Sequence, residues 1–278
     1  MTENLTLDGG TLAYDLSGEG PLVVLAHGMG DSRHAYRFMV PALVAAGYRV
    51  ANVDLRGCGD SSLGWDDYSR TAIAGDLVAL VRHLGGPAVL VGQSISGGAA
   101  TIAAATAPEL VAGVVELAPF TRKQSVSVGG LLRVRRHRAG TVQLGLTLAL
   151  GSLSAWTRYL DLAYPDKPSD WTAALGRIEE KLREPGRMAV LKAMAGSPPT
   201  DAGAQLAHVT CPVLVVEGSL DPDWADPRAE GDKIVADLPT GLGEVVVIDG
   251  AGHYPHAQTP DQVVALTLPF LTRTLTRA

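Results

Sequence analysis

Short runs of consecutive apolar residues alternate along this chain with longer stretches in which apolar positions recur every three or four residues. The first kind reads as strands covered on both faces, the second as helices packed over them. Strands are expected at Leu22–Ala26, 48–53, 88–91, 113–117, 212–217 and 244–248, and helices at 34–46, 71–84, 99–107 and 259–273. In the helix at 71–84, Ile73, Leu77, Leu80, Val81 and Leu84 share one face, and Gly85-Gly86-Pro87 stops it. Strand and helix signals in alternation predict βαβ units, hence an α/β fold with a mostly parallel central sheet flanked by helices.

The rhythm fails between Pro119 and about Gln205, where helix-like pieces are separated by Pro165, Pro168, Pro185 and Pro198-Pro199. A core formed by 1–119 and 206–278, with a helical insertion at 120–205, fits this pattern. Within the insertion, 141–157 is uncharged, yet Gly145, Gly151, Ser152 and Ser154 dilute it. A buried or site-covering helix is therefore expected there rather than a membrane span.

With 278 residues, 46% of them hydrophobic, the chain can fill a large core. Its net charge of −6 argues against nucleic acid as a partner, because phosphate binding calls for a basic face. Cys58 and Cys211 are far apart and lack metal-type spacing, so both read as reduced thiols. Met1-Thr2-Glu3-Asn4-Leu5 has no signal-peptide pattern, and a cytoplasmic location is expected.

The densest chemistry lies in Val89-Leu90-Val91-Gly92-Gln93-Ser94-Ile95-Ser96-Gly97-Gly98, where a buried strand turns abruptly into a helix of small residues. Such a turn strains its central residue and lifts a serine Oγ above the sheet, which is how a nucleophile is displayed. A helix-capping serine is the plain alternative, and Ser96 is a second candidate nucleophile. A serine needs a base, the base needs an orienting acid, and the oxyanion needs fixed donors. The base candidate is His253, in the glycine-flanked loop after the last strand, at the sheet edge where open parallel sheets build sites. Its neighbour His256 could pair with it on a metal, but no further ligands stand nearby. The acid candidate is Asp221 in Gly218-Ser219-Leu220-Asp221-Pro222-Asp223, with Asp223 a serious alternative and Glu116 a weaker one. For the oxyanion hole, the N–H groups of Ile95 and of Met29 in His27-Gly28-Met29-Gly30 are expected. A dinucleotide-binding turn at Gly28 would need a third glycine where Arg33 stands.

Together, His27-Gly28, the turn from Asp54 to Ser61 through Arg56, Gly57 and Asp60, the Ser94 elbow, Asp221 and Gly252-His253 resemble the α/β-hydrolase family, in order and over nearly all of the chain outside the insertion. The resemblance implies an α/β-hydrolase fold with an inserted helical lid, Arg56 and Asp60 fixing a loop, and no cofactor or metal. One departure is Ser96, where the family usually has glycine. A similar Ser-x-Ser elbow occurs in a branch with hormone-receptor hydrolases and bacterial stress regulators, so ligand binding is an alternative to turnover. Gln93 stands where histidine is more usual.

A serine nucleophile speaks against the family's dehalogenases and epoxide hydrolases, which use a carboxylate. It implies a serine hydrolase of carboxylic esters of small to medium hydrophobic acyl compounds, acting through Ser94, His253 and Asp221 and an acyl-enzyme. Lactones, thioesters, carbon-carbon bonds and perhydrolysis are alternatives with the same triad. Trp156, Tyr159 and Tyr254 are candidate pocket residues, and a small molecule is the expected partner, without nucleic acid or stable membrane insertion. The basic run Arg133-Val134-Arg135-Arg136-His137-Arg138 reads first as a solvated helix face, with anion steering or membrane-surface contact as the other possibility.

Overall fold

A computed structural model describes residues 2–123 and 128–275; the remaining residues of the expected domain ranges, 1, 124–127 and 276–278, lie outside the described residues. Eight strands form one sheet: β1 (Thr2–Leu7), β2 (Gly10–Ser17), β3 (Leu22–Ala26), β4 (Arg49–Val53), β5 (Ala88–Gln93), β6 (Val111–Leu117), β7 (Val213–Gly218) and β8 (Gly243–Ile248). Their order is β1-β2-β4-β3-β5-β6-β7-β8. From β4 to β8 across the sheet all pairings are parallel, whereas β1 and β2 pair antiparallel at one edge.

Alternate residues of each strand face opposite sides. Val24, Leu90, Val114 and Val215 pack on one face against Leu77, Ala99 and Ala103. On the other, Val23, Val89, Val115 and Val216 meet Tyr36, Leu43 and Phe270. Both faces are covered, which is why the central strands read as unbroken apolar runs. The covering helices are α1 (Met39–Ala45), α2 (Arg70–His83) and α3 (Ile95–Thr106) in the first half of the chain. Ser69 caps α2 by accepting from Ala72 N.

Between β6 and β7 lie α4 (Val128–Arg133), α5 (Arg135–Leu150), α6 (Leu153–Ala163), α7 (Trp171–Arg183), α8 (Arg187–Gly196) and α9 (Thr200–Gly203), and among the described residues no strand interrupts them. After β7 come α10 (Pro227–Asp237), α11 (Pro255–Gln258) and α12 (Pro260–Leu275). Among the described residues, no helix is long and apolar enough to cross a membrane.

Several boundaries differ from expectation. The β1–β2 hairpin is absent from the pattern because its outer strand is mostly exposed and carries no apolar run. The helix expected at 34–46 is split into a 3₁₀ turn, Arg33–Tyr36, and α1. That expected at 141–157 is broken by Gly151, whose φ of 64° ends α5 in the left-handed region glycine favours. The helix expected at 99–107 begins at Ile95, since Ser94 alone takes the turn.

Candidate active site

Ser94 leaves β5 with φ 56° and ψ −119°, a left-handed conformation unusual for a residue with a side chain. Neighbouring backbone holds it there: Ser94 N donates to Leu117 O at 3.0 Å, and Phe120 N and Gly97 N each donate to Ser94 O at 3.0 Å. The bend requires small neighbours, since a side chain at Gly92 would strike the Ser96 carbonyl and one at Gly97 would come within 2.7 Å of Pro119 Cβ. Ile95 opens α3, so its N–H is among the donors a helix start leaves without an intrahelical acceptor.

Ser96 has a different task. Its hydroxyl donates to His27 O at 2.6 Å, tying the start of α3 to the loop after β3. His27 shapes that loop further: Nδ1 bonds Gly28 O at 2.7 Å, and Nε2 accepts from Leu55 N at 3.1 Å. A side chain at Gly28 would collide with Gln93 Oε1 and stand 3.1 Å from Ser94 Cβ, so the backbone leading to Met29 runs hard against the elbow. Gln93 in turn donates through Nε2 to His253 O at 2.9 Å, joining the end of β5 to the loop after β8.

His253 is the meeting point of both acid candidates. Nδ1 lies 2.8 Å from Asp221 Oδ2 and 3.3 Å from Asp223 Oδ2. Asp223 N donates to Asp221 Oδ1 at 2.8 Å, and Tyr159 OH, from α6, donates to Asp223 Oδ2 at 2.7 Å. With Nδ1 donating to Asp221, Nε2 is the nitrogen left to act as base. Burial pushes the imidazole down, but Asp221 and then Asp223 outweigh it and hold His253 up at about 9. Burial likewise raises Asp223, to about 7, against the lowering by His253 and with Asp221 adding to the rise.

The other candidates go elsewhere. Glu116 accepts from the hydroxyls of Thr101 and Thr121, and burial raises its pKa. His256 is fully buried, stacked on Tyr36 at 4.7 Å, and burial drives its pKa down to about 3. Asp221, Asp223 and His253 do bring three ligand-type atoms within 4.8 Å of one another, with Nδ1 hydrogen-bonded to Asp221 Oδ2. Arg33, at the third position of a would-be dinucleotide turn, is bound to Asp15, Asp54 and Asp60. Arg56 grips Asp76 through two 2.7 Å bonds, and Asp60 meets Arg33, so both side chains are engaged in loop contacts.

Trp156, Tyr159 and Tyr254 are buried in one cluster with Leu160, Tyr164 and Leu191. Ring centroids of Tyr159 and Tyr254 lie 6.4 and 5.2 Å from His253, while Trp156 stacks on Tyr159 at 5.2 Å. Two residues the sequence did not flag complete this wall: Phe120, 5.8 Å from His253, and Trp224, 5.0 Å from Phe120. Their only sequence signal is position, each within three residues of a candidate acid or strand end. The basic run divides, with Arg136 donating to Asp221 O and Trp224 O and His137 bonding Pro222 O at 3.0 Å.

Residues 23–266 match the alpha/beta hydrolase family. The chain belongs to that family. This alpha/beta hydrolase is 29% identical over 260 residues to the 2-(acetamidomethylene)succinate hydrolase of Mesorhizobium japonicum, covering 90% of this chain and 88% of that one. Likeness to epoxide hydrolase B of Mycobacterium tuberculosis is more local, 36% identity over 116 residues, or 40% of this chain and 33% of that one. A thermophilic esterase from Thermogutta terrifontis shares the fold, with TM-score 0.76 at 24% identity over 99% of both chains.

Proposed function

We propose that this hydrolase cleaves carboxylic esters of small to medium hydrophobic acyl compounds, with Ser94 as nucleophile, His253 as base and Asp221 as orienting acid. The observation that carries the reading is the left-handed Ser94 at the β5–α3 junction, next to Gln93, which donates to the backbone carbonyl of His253, whose Nδ1 is 2.8 Å from Asp221. In the first half-reaction Ser94 Oγ attacks the carbonyl carbon while His253 Nε2 takes its proton. The N–H groups of Ile95 and Met29 receive the oxyanion. Collapse breaks the bond to the alkoxy oxygen, which leaves with the proton from His253. Water, deprotonated by the same nitrogen, then releases the acid from Ser94.

Asp221 is favoured over Asp223 as the orienting acid because it stands nearer Nδ1 and because Asp223 shares Oδ2 with Tyr159. The aromatic wall favours apolar acyl groups. Buried indole N–H groups of Trp156 and Trp224 have no acceptor among the described residues, and a substrate oxygen reaching them would supply one. Ser94 and His253 are 3% and 2% exposed, which, with the Tyr159 ring of α6 6.4 Å from that of His253, supports the helical insertion as a lid that moves to admit substrate. Ser96, engaged with His27 O, gives the Ser-x-Ser elbow a structural purpose compatible with turnover.

The test is labelling with a fluorophosphonate, read by intact mass and peptide mapping, alongside hydrolysis of p-nitrophenyl esters. Wild-type protein should gain one adduct on Ser94 and turn over many times, and Ser94→Ala should lose both. Equal hydrolysis by the two proteins would remove Ser94 from the mechanism.

A further inference from the structure

Among the described residues, most of the exposed large apolar side chains sit on α4 and α5: Val128, Leu132, Val142, Leu146 and Leu150. Along α5, Arg135, Arg138, Val142, Leu146, Ala149 and Leu150 are all exposed. At 100° per residue they fall within an arc of about 120°. His137, Gly140 and Thr147, on the opposite side, are buried. The inner face is fastened to the core, Arg136 and His137 reaching the carbonyls of Asp221, Trp224 and Pro222.

Charge singles out the same surface. Every charged residue between Glu116 and Asp161 is basic, in a chain whose net charge is −6. Arg133, Arg135 and Arg138 are exposed, and Arg138 donates to the carbonyls of Leu131 and Leu132 rather than to a carboxylate. A helix face that is basic in its first turn and apolar beyond it has the chemistry of one lying in a headgroup layer. A second copy of the chain is a poorer occupant, since it would bring a second patch of the same positive sign onto this one, and the 117–160 segment offers no carboxylate to meet it.

We propose that the outer face of α4 and α5 docks this hydrolase reversibly onto an anionic phospholipid bilayer, with the arginines among the phosphates and the leucines between acyl chains. The face lies on the back of the helix that holds the Asp221–Trp224 loop, which would bring the site close to apolar substrates dissolved in the membrane. The surface itself stands independently of which bond the site cleaves.

The experiment is co-sedimentation of the full chain with unilamellar vesicles, phosphatidylcholine alone against phosphatidylcholine with phosphatidylglycerol, at low and high salt. Binding is expected only with phosphatidylglycerol and should weaken as salt rises. Each surface arginine contributes roughly fivefold in partitioning, so Arg135→Gln with Arg138→Gln should weaken binding about 25-fold. Leu146→Ser with Leu150→Ser should lose roughly tenfold or more. Hydrolysis of a soluble ester by both variants should match wild type, showing that they fold. Absence of sedimentation at low salt, equal sedimentation with both vesicles, or variants that bind like wild type would overturn the proposal. So would analytical ultracentrifugation showing a dimer that Leu146→Ser with Leu150→Ser dissociates, which would assign the face to a second copy.

Discussion

Replacing Asp223 with Asn should move the pH at which this hydrolase becomes active without disabling it. A general base works only while its imidazole is neutral. With His253 held at about 9, about 1% of it is neutral at pH 7, and kcat/KM should climb about tenfold per unit on the way up. Asp223 Oδ2 lies 3.3 Å from Nδ1. Two unit charges at that separation interact by about 5 kcal/mol at an effective dielectric of about 20, or roughly 3.7 pKa units. That figure is an upper bound, because Asp223, raised to about 7, is partly protonated near neutrality and shares its oxygen with Tyr159. The limb of the profile should therefore shift toward acid by about one to two units in Asp223→Asn, with plateau kcat down less than about threefold. Asp221→Asn should instead cost about 10⁴-fold in kcat, the scale seen when a triad loses control of its imidazole tautomer. Initial rates in a pH-stat with a soluble ester, from about pH 6 to about pH 10, separate the two. A limb that stays put in Asp223→Asn, or a plateau that collapses further than in Asp221→Asn, refutes the reasoning.

The same pair predicts how stability varies with pH. His253 is raised to about 9 from 6.5, so its contribution is complete below about 6.5 and is lost as pH rises through 9; Asp223, raised to about 7 from 3.8, contributes below 3.8 and loses that as pH rises through 7. Both act in one direction, and Tm at fixed ionic strength should fall from mildly acid to mildly alkaline pH, less steeply in Asp223→Asn; a rising Tm would contradict this. Gly28→Ala, whose new methyl would meet Gln93 Oε1 and press on Ser94 Cβ, should lower kcat about 100-fold through sub-ångström displacement of the elbow and of the Met29 N–H. Unaltered kcat in that variant would take the loop out of the oxyanion hole. Arg56→Ala leaves the Asp76 carboxylate, 6% exposed, without its two-bond partner. Urea unfolding should register a loss of about 3–5 kcal/mol, with kcat/KM per folded molecule unchanged.

What could be read directly from the residues was whatever a local backbone must obey. A strand covered on both faces has to be apolar throughout, so β3, β5 and β7 announced themselves. A tight strand-to-helix bend has to be ringed by small residues, so Gly92, Gly97 and Gly98 mark Ser94 in the sequence. Where burial imposes nothing, as in the exposed β1, the pattern was silent. Gly151 shows the converse, a single left-handed residue splitting what composition presents as one helix.

The sequence by itself determined the parallel α/β core and the tight strand-to-helix bend at Ser94, because each follows from spacing within a few residues. Only the tertiary structure decided that Asp221 and Asp223 share one imidazole nitrogen, that Tyr159 reaches the second of them from α6, and that Phe120 and Trp224 wall the site. These contacts join residues 30 to 133 positions apart in the chain. Distances of that kind are set by how separate helices and loops pack over the sheet edge, and no local pattern of polar and apolar residues encodes them.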